Sequence, residues 1–187
     1  MKYNSQEYYD SLNGKKVICV DFDNTVCIDE WPWVGPVIPE AFMVLKELQD
    51  NGHKIILFTQ RGYHYPINCP ELEEYAKDKP EYDNGDGTVD LLTPAKEVFA
   101  ENGIKLYGIN KNPTWEYVSG DKERKIYSDY FIDDHSAGMH YLDTVNRFGE
   151  TCNYCCWLYI DSFFKAKGLY NRNVLMDDQS WKKKSTQ

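Results

Sequence analysis

The stretch Lys15-Lys16-Val17-Ile18-Cys19-Val20-Asp21-Phe22-Asp23-Asn24-Thr25-Val26 constrains this chain more than any other. Two lysines lead into an apolar run from Val17 to Val20, which stops abruptly at two carboxylates. A Val- and Ile-rich run without polar alternation is the pattern of a strand buried on both faces, as in a parallel sheet. Alternate residues of a strand share a face, so Asp21 and Asp23 are expected to project together from its carboxyl end. In open α/β sheets that edge is where ligands bind. Two neighbouring acids repel one another unless a cation, a proton or a reaction makes use of them.

Phosphoryl transfer through an aspartyl-phosphate needs such a pair. One ionised carboxylate attacks phosphorus, while a second, protonated, serves the leaving oxygen and then activates water. Mg²⁺ offsets the repulsion between an anionic nucleophile and an anionic phosphate. An inert, solvated turn rich in Asp would carry the same short motif, so the rest of the chain has to supply the site.

At 187 residues the chain suits one domain with a sizeable core. Its apolar share of 42% and aromatic share of 15% argue for a folded protein. A formal charge of −9 argues against a broad surface for nucleic acid or anionic membrane, while leaving room for a local basic pocket. No apolar run reaches membrane-spanning length and the start, Met1 to Gln6, has no signal-peptide core. A cytoplasmic protein with no membrane partner is the simplest expectation. The cysteines then read as free thiols, and Cys152, Cys155 and Cys156 have no fourth ligand nearby for zinc.

Taken in order, residues 1–14 read as a surface arm or a short helix, ending in the turn signal Asn13-Gly14. Residues 29–39 hold Trp31, Pro32, Trp33, Gly35, Pro36 and Pro39, which excludes a regular helix and predicts a loop or hairpin over the carboxylate end. Its tryptophans either pack it onto the body or line a pocket. A helix from Glu40 to Asp50 and a strand from Lys54 to Thr59 follow, parallel to the first strand by right-handed crossover. At that strand's end stand Thr59, Gln60 and Arg61, a hydroxyl, an amide and a guanidinium suited to phosphate.

Residues 63–92 form an insertion with a short helix from Pro70 to Lys79 and a turn over 83–88, a small lid or specificity element. Thr93-Pro94 is expected to cap a helix from Ala95 to Asn102, before a third strand from Ile104 to Ile109. The polar segment 114–126 carries Lys122, Arg124 and Lys125, and the strand Tyr127 to Ile132 ends in Asp133-Asp134. Acid pairs at two strand ends make an oxygen-donor site of the kind Mg²⁺ accepts. Met139 to Phe148 is predicted as a helix. An extension from about residue 151, with Trp157 to Ile160 and Phe163-Phe164, completes the core, and Lys182 to Gln187 form a solvated tail.

Asp21-Phe22-Asp23-Asn24-Thr25, Thr59, a lysine and Ile132-Asp133-Asp134, each acid motif after an apolar strand, resemble the four motifs of haloacid-dehalogenase-like (HAD) phosphohydrolases over residues 15–148. The resemblance implies a Rossmann-like three-layer sandwich with a central, mostly parallel sheet, of the compact, nearly capless type. It implies one catalytic domain over 1–187, with a flap at about 24–39, and Mg²⁺-dependent hydrolysis of a phosphate monoester. By that likeness Asp21 is the nucleophile, Asp23 the general acid/base, and Thr59 the holder of a phosphoryl oxygen. Mg²⁺ falls to Asp21, Asp23 through its backbone carbonyl, and Asp133 or Asp134. The third-motif lysine is assigned to Lys125, with Lys111 in reserve and Lys105 a further rival; it would neutralise charge shared by nucleophile and phosphate.

Asn24, Gln60, Arg61 and Lys111 are the expected substrate contacts, and Asn24 stands where the family usually has Gly. A phosphorylated small molecule or nucleotide is the expected substrate. A polynucleotide end is a further candidate, with Trp31, Trp33, Tyr63 and Tyr65 available to stack on a base. Capless members of this kind act on larger partners or close their sites by forming oligomers. The competing reading is a non-catalytic phosphate- or partner-binding module on the same scaffold.

Overall fold

The computed structural model describes residues 5–119, 126–172 and 174–177. Its centre is a parallel sheet of four short strands in the order β7-β4-β1-β8. Strand β1 is Val17–Val20, β4 Lys54–Leu57, β7 Gly108–Ile109 and β8 Tyr130–Ile132. All four residues of β1 are buried, because helices cover both faces. Ile18, Val20, Ile55 and Leu57 join one core with α2 (Pro39–Asp50), α4 (Leu92–Glu101) and α6 (Trp157–Ala166). Val17, Cys19 and Ile56 join a second with Tyr8 and Leu12 of α1 (Ser5–Leu12), against which Trp115 of α5 (Pro113–Ser119) also packs. The architecture is mixed α/β and compatible with a Rossmann-like fold.

Helix α2 follows the sequence pattern: Pro39 opens it, and Ala41, Phe42, Val44, Leu45 and Leu48 form its buried stripe. Of the segment expected as a surface arm or short helix, residues 5–12 form α1 and reach into the core. The Tyr8 ring is fully buried, packs edge-on against Trp115 and Tyr127, and accepts a hydrogen bond from Asn112 Nδ2 at 2.9 Å. Helix α4 starts at Leu92 with Leu91 at the N-cap position, and the side chain that serves its first N–H groups is Asp90, one residue earlier, rather than Thr93. Asp90 Oδ1 accepts the Leu92 and Thr93 backbone N–H groups at 2.9 and 2.8 Å. Of the strand expected over 104–109, only β7 pairs in the sheet.

The largest departure lies at 139–148. The helix expected there is β9 (Tyr141–Val145), paired antiparallel with β10 (Thr151–Cys155). Tyr, Thr and Val favour a strand. Asn146 Oδ1 accepts the N–H groups of Phe148 and Glu150, making the turn that reverses the chain.

The segment 24–39 contains a hairpin of β2 (Cys27–Glu30) and β3 (Trp33–Val37). The segment 63–92 holds the small pair β5 (Tyr65–Pro66) and β6 (Thr88–Val89), with α3 (Pro70–Asp78) between them. Leu72, Tyr75, Val89 and Leu91 of that segment share a buried cluster with Trp33, so insertion and hairpin lean on one another. A short helix, α7 (Val174–Asp177), packs on α2. Among the described residues no helix is long and apolar enough to cross a membrane.

Candidate active site

Register alone assembles the site. Val20 pairs with Leu57 on one side and Ile132 on the other, and Leu57 pairs with Ile109. The residues that follow, Asp21, Phe58, Asp133 and Asn110, therefore leave the sheet side by side. A cavity of about 430 Å³ opens there, lined by Asp21, Asp23, Asn24, Asp29, Thr59, Gln60, Arg61, Asp133 and Asp134, with Trp31 and Tyr65 among its walls. Nine of the ten site residues expected from the sequence fall in the described part of the chain, and eight of them line this cavity. The exception is Lys111, which lies with Lys105 in a neighbouring groove. Lys125 lies outside the described residues.

Burial pushes the Asp21 carboxyl up to about 7; a hydrogen bond from the Phe22 backbone opposes this, and repulsion from Asp23, Asp133 and Asp134 adds to it. Asp134 is also raised, chiefly by burial, with His135 opposing and Asp133 adding. Thr25, fully buried, donates its hydroxyl to Asp21 Oδ2 at 3.4 Å.

Asp23 faces a different environment. Arg61 Nε donates to its Oδ2 at 2.9 Å and Nη2 to its Oδ1 at 2.7 Å, a two-pronged charge-assisted grip. The same guanidinium donates to the Pro32 and Trp33 carbonyls at 2.8 and 2.9 Å. Arg61 is only 3% exposed and lies over the Phe22 ring. The structure thus turns the expected substrate-contacting arginine inward, where it ties Asp23 to the β2–β3 hairpin. The two tryptophans divide: Trp33 is buried against Tyr75, while Trp31 lines the cavity beside Tyr65.

Thr59 is 8% exposed, and its hydroxyl oxygen accepts the Arg61 backbone N–H at 3.2 Å. Asn110 brackets the Thr59 backbone, Oδ1 accepting its N–H and Nδ2 donating to its carbonyl, both at 2.8 Å. Asn24 adopts a left-handed backbone, φ 53°, which explains why Asn can stand in a position that favours Gly. Its Oδ1 accepts the Asp29 N–H at 3.1 Å, and its side chain also hydrogen bonds Asp134.

Sequence reading missed Thr25, Asp29 and Asn110 as site residues. Thr25 sits inside the quoted motif and Asn110 at a strand end, so position carried a signal in both cases; Asp29 carried none. It also placed the C-terminal extension in the core but gave it no part in the site. Cys155 N donates to the Asn24 carbonyl at 2.9 Å, and Trp157 Nε1 to the Thr25 carbonyl at 2.7 Å. The extension braces the loop that carries the acids. All six cysteines are free.

Among the described residues no group of three or more His, Cys, Asp or Glu side chains forms a metal cage. Mg²⁺ does not require one, since it keeps several waters and is held by one or two carboxylates together with substrate phosphate. The donors here are hard carboxylate oxygens, and burial and mutual repulsion raise both Asp21 and Asp134. A cation relieves that cost, so the residues fit the ion.

No family model and no curated protein matches the chain. Among solved structures it is similar to a conserved protein of Bacteroides thetaiotaomicron. Identity is 27% and the TM-score 0.53, with 82% of this chain and 92% of that one covered. The likeness supports the mixed α/β fold.

Proposed function

We propose that this chain is a Mg²⁺-dependent phosphomonoesterase of the HAD superfamily, with the three-layer Rossmann-like arrangement that family uses. The observation that carries the reading is the convergence of Asp21, Asp23, Thr59, Asp133 and Asp134, from three strand ends, on one cavity. Asp21 is the nucleophile: its carboxylate attacks phosphorus, the ester oxygen leaves, and the acyl phosphate on Asp21 is then hydrolysed by water. Asp23 takes a proton from the incoming monoanionic ester and hands it to the leaving oxygen, then accepts one from the attacking water and returns it to solvent. Arg61 holds one lone pair of each Asp23 oxygen, which orients the carboxylate and leaves the other lone pairs facing the cavity. Thr59, already accepting from the Arg61 backbone, has its own hydroxyl proton free for a phosphoryl oxygen. Asp21, the Asp23 backbone carbonyl and Asp133 or Asp134 would hold Mg²⁺, which supplies charge neutralisation for two approaching anions.

The test is phosphate release from sugar phosphates, nucleotides and 3′-phosphorylated oligonucleotides, with Mg²⁺, with a chelator, and with Asp21→Asn. Turnover that requires both the metal and Asp21 is the expected result. A folded protein that binds Mg²⁺ yet releases phosphate from no ester would overturn the reading in favour of a binding module.

A further inference from the structure

A larger cavity, about 890 Å³, adjoins the carboxylate cavity. It lies between α4 and the edge strand β7, and Asn110 belongs to the walls of both. Its floor is apolar, with Leu92, Ile104, Leu106 and Ile109. Its rim carries Lys96, Lys105 and Lys111, and none of these pairs with a described carboxylate. The acid on the rim, Glu97, is engaged elsewhere, accepting the Tyr82 hydroxyl. Tyr63 stands at the mouth, 45% exposed, with Lys96 Nζ over its ring and donating to its hydroxyl at 3.1 Å.

In a chain of formal charge −9, three lysines without an ion-pair partner among the described residues, set around an apolar floor, are a local reversal of sign. From this geometry we infer that the groove receives the far end of a substrate whose first phosphate lies at Asp21, and that this end carries a flat apolar ring and a second phosphate. The chemistry is that of a nucleoside bisphosphate. The ring covers the floor, and the second phosphate meets the lysines. The inference rests on the phosphomonoesterase reading of the neighbouring site and adds a substrate class to it.

Direct binding separates the two readings. Asp21→Asn protein is titrated calorimetrically with adenosine 3′,5′-bisphosphate and with the adenosine 3′- and 5′-monophosphates. The same titrations are run on Asp21→Asn carrying Lys96→Gln and Lys105→Gln, and on Asp21→Asn carrying Lys96→Arg and Lys105→Arg. Lys96 and Lys105 each make a modest exposed charge contact, about threefold, so together they should bind the bisphosphate about tenfold more tightly than either monophosphate. That margin should vanish in the glutamine variant, persist in the arginine variant, and shrink as salt rises. Equal affinity for mono- and bisphosphates, or a margin the glutamine variant keeps, overturns the inference. Lysine-dependent binding without hydrolysis by the unsubstituted enzyme supports the groove while removing the phosphatase reading. Hydrolysis without any preference for the second phosphate does the reverse.

Discussion

Arg61→Ala is the substitution whose consequences are best fixed by geometry. The Arg61 side chain is 2% exposed and that of Asp23 27%, so the pair is shielded from solvent though not sealed. Removing the guanidinium strands a carboxylate that has lost both its charged donors, and it frees the Pro32 and Trp33 carbonyls. Breaking a buried pair from one side costs about 3–5 kcal/mol, and partial access of water to Asp23 places this case toward the lower end. The two carbonyls add about 1 kcal/mol each where water does not replace the donor. The expected loss is therefore about 3–5 kcal/mol, or roughly 10 °C in Tm for a chain of this size.

Urea unfolding followed by tryptophan fluorescence measures it. A double-mutant cycle with Asp23→Asn separates the causes. If the stranded charge dominates, Asp23→Asn in the Arg61→Ala background should recover about 1–2 kcal/mol, whereas alone it should destabilise. A loss under about 1 kcal/mol for Arg61→Ala would refute the reasoning, since the inward grip would then contribute no more than a surface contact.

Other outcomes follow from single contacts. Gly35→Ala should displace the β2–β3 hairpin, because a Cβ there would lie 2.1 Å from the Ile28 carbonyl oxygen; a loss of about 2 kcal/mol or more in urea unfolding checks it. Trp157→Phe removes the donor to the Thr25 carbonyl and should cost about 1–3 kcal/mol, with a fall in phosphate release beyond the loss of folded protein. Unaltered specific activity would mean that the extension does not brace the acid loop.

His53 is held neutral: Nδ1 accepts the Lys16 N–H at 3.0 Å while Nε2 meets the Leu169 carbonyl at 2.9 Å and must donate to it. Burial, the largest cause, lowers its pKa from 6.5. Because the folded value is depressed, its contribution to stability is present above pH 6.5 and is lost as pH falls through the folded value. Urea midpoints at pH 7.5 and 5.5 should therefore diverge more in the unsubstituted protein than in His53→Gln; an equal divergence would dismiss His53 as the cause.

Several features were legible in local sequence because they rest on local physics. The run Val17 to Val20 could be satisfied only by burial on both faces, and the strand must end where Asp21 appears. The same holds for Pro39 opening α2 and for Ile132 ahead of Asp133. Residues 139–148 were not legible, since their apolar spacing fits a helix as readily as a strand. Pairing with β10, and contact of that pair with β2, decided the matter.

By itself, then, the sequence determined which residues could carry the chemistry: two acid pairs and a threonine, each following an apolar strand. Tertiary structure decided how they are divided. Asp21 is half-buried among other carboxylates, while Asp23 is gripped by an arginine 38 residues away along the chain. That pairing, the bracing of Asn24 and Thr25 by Cys155 and Trp157, and the meeting of two cavities at Asn110 are all long-range contacts. They depend on how helices and hairpins close over the sheet, and no local periodicity encodes that closure.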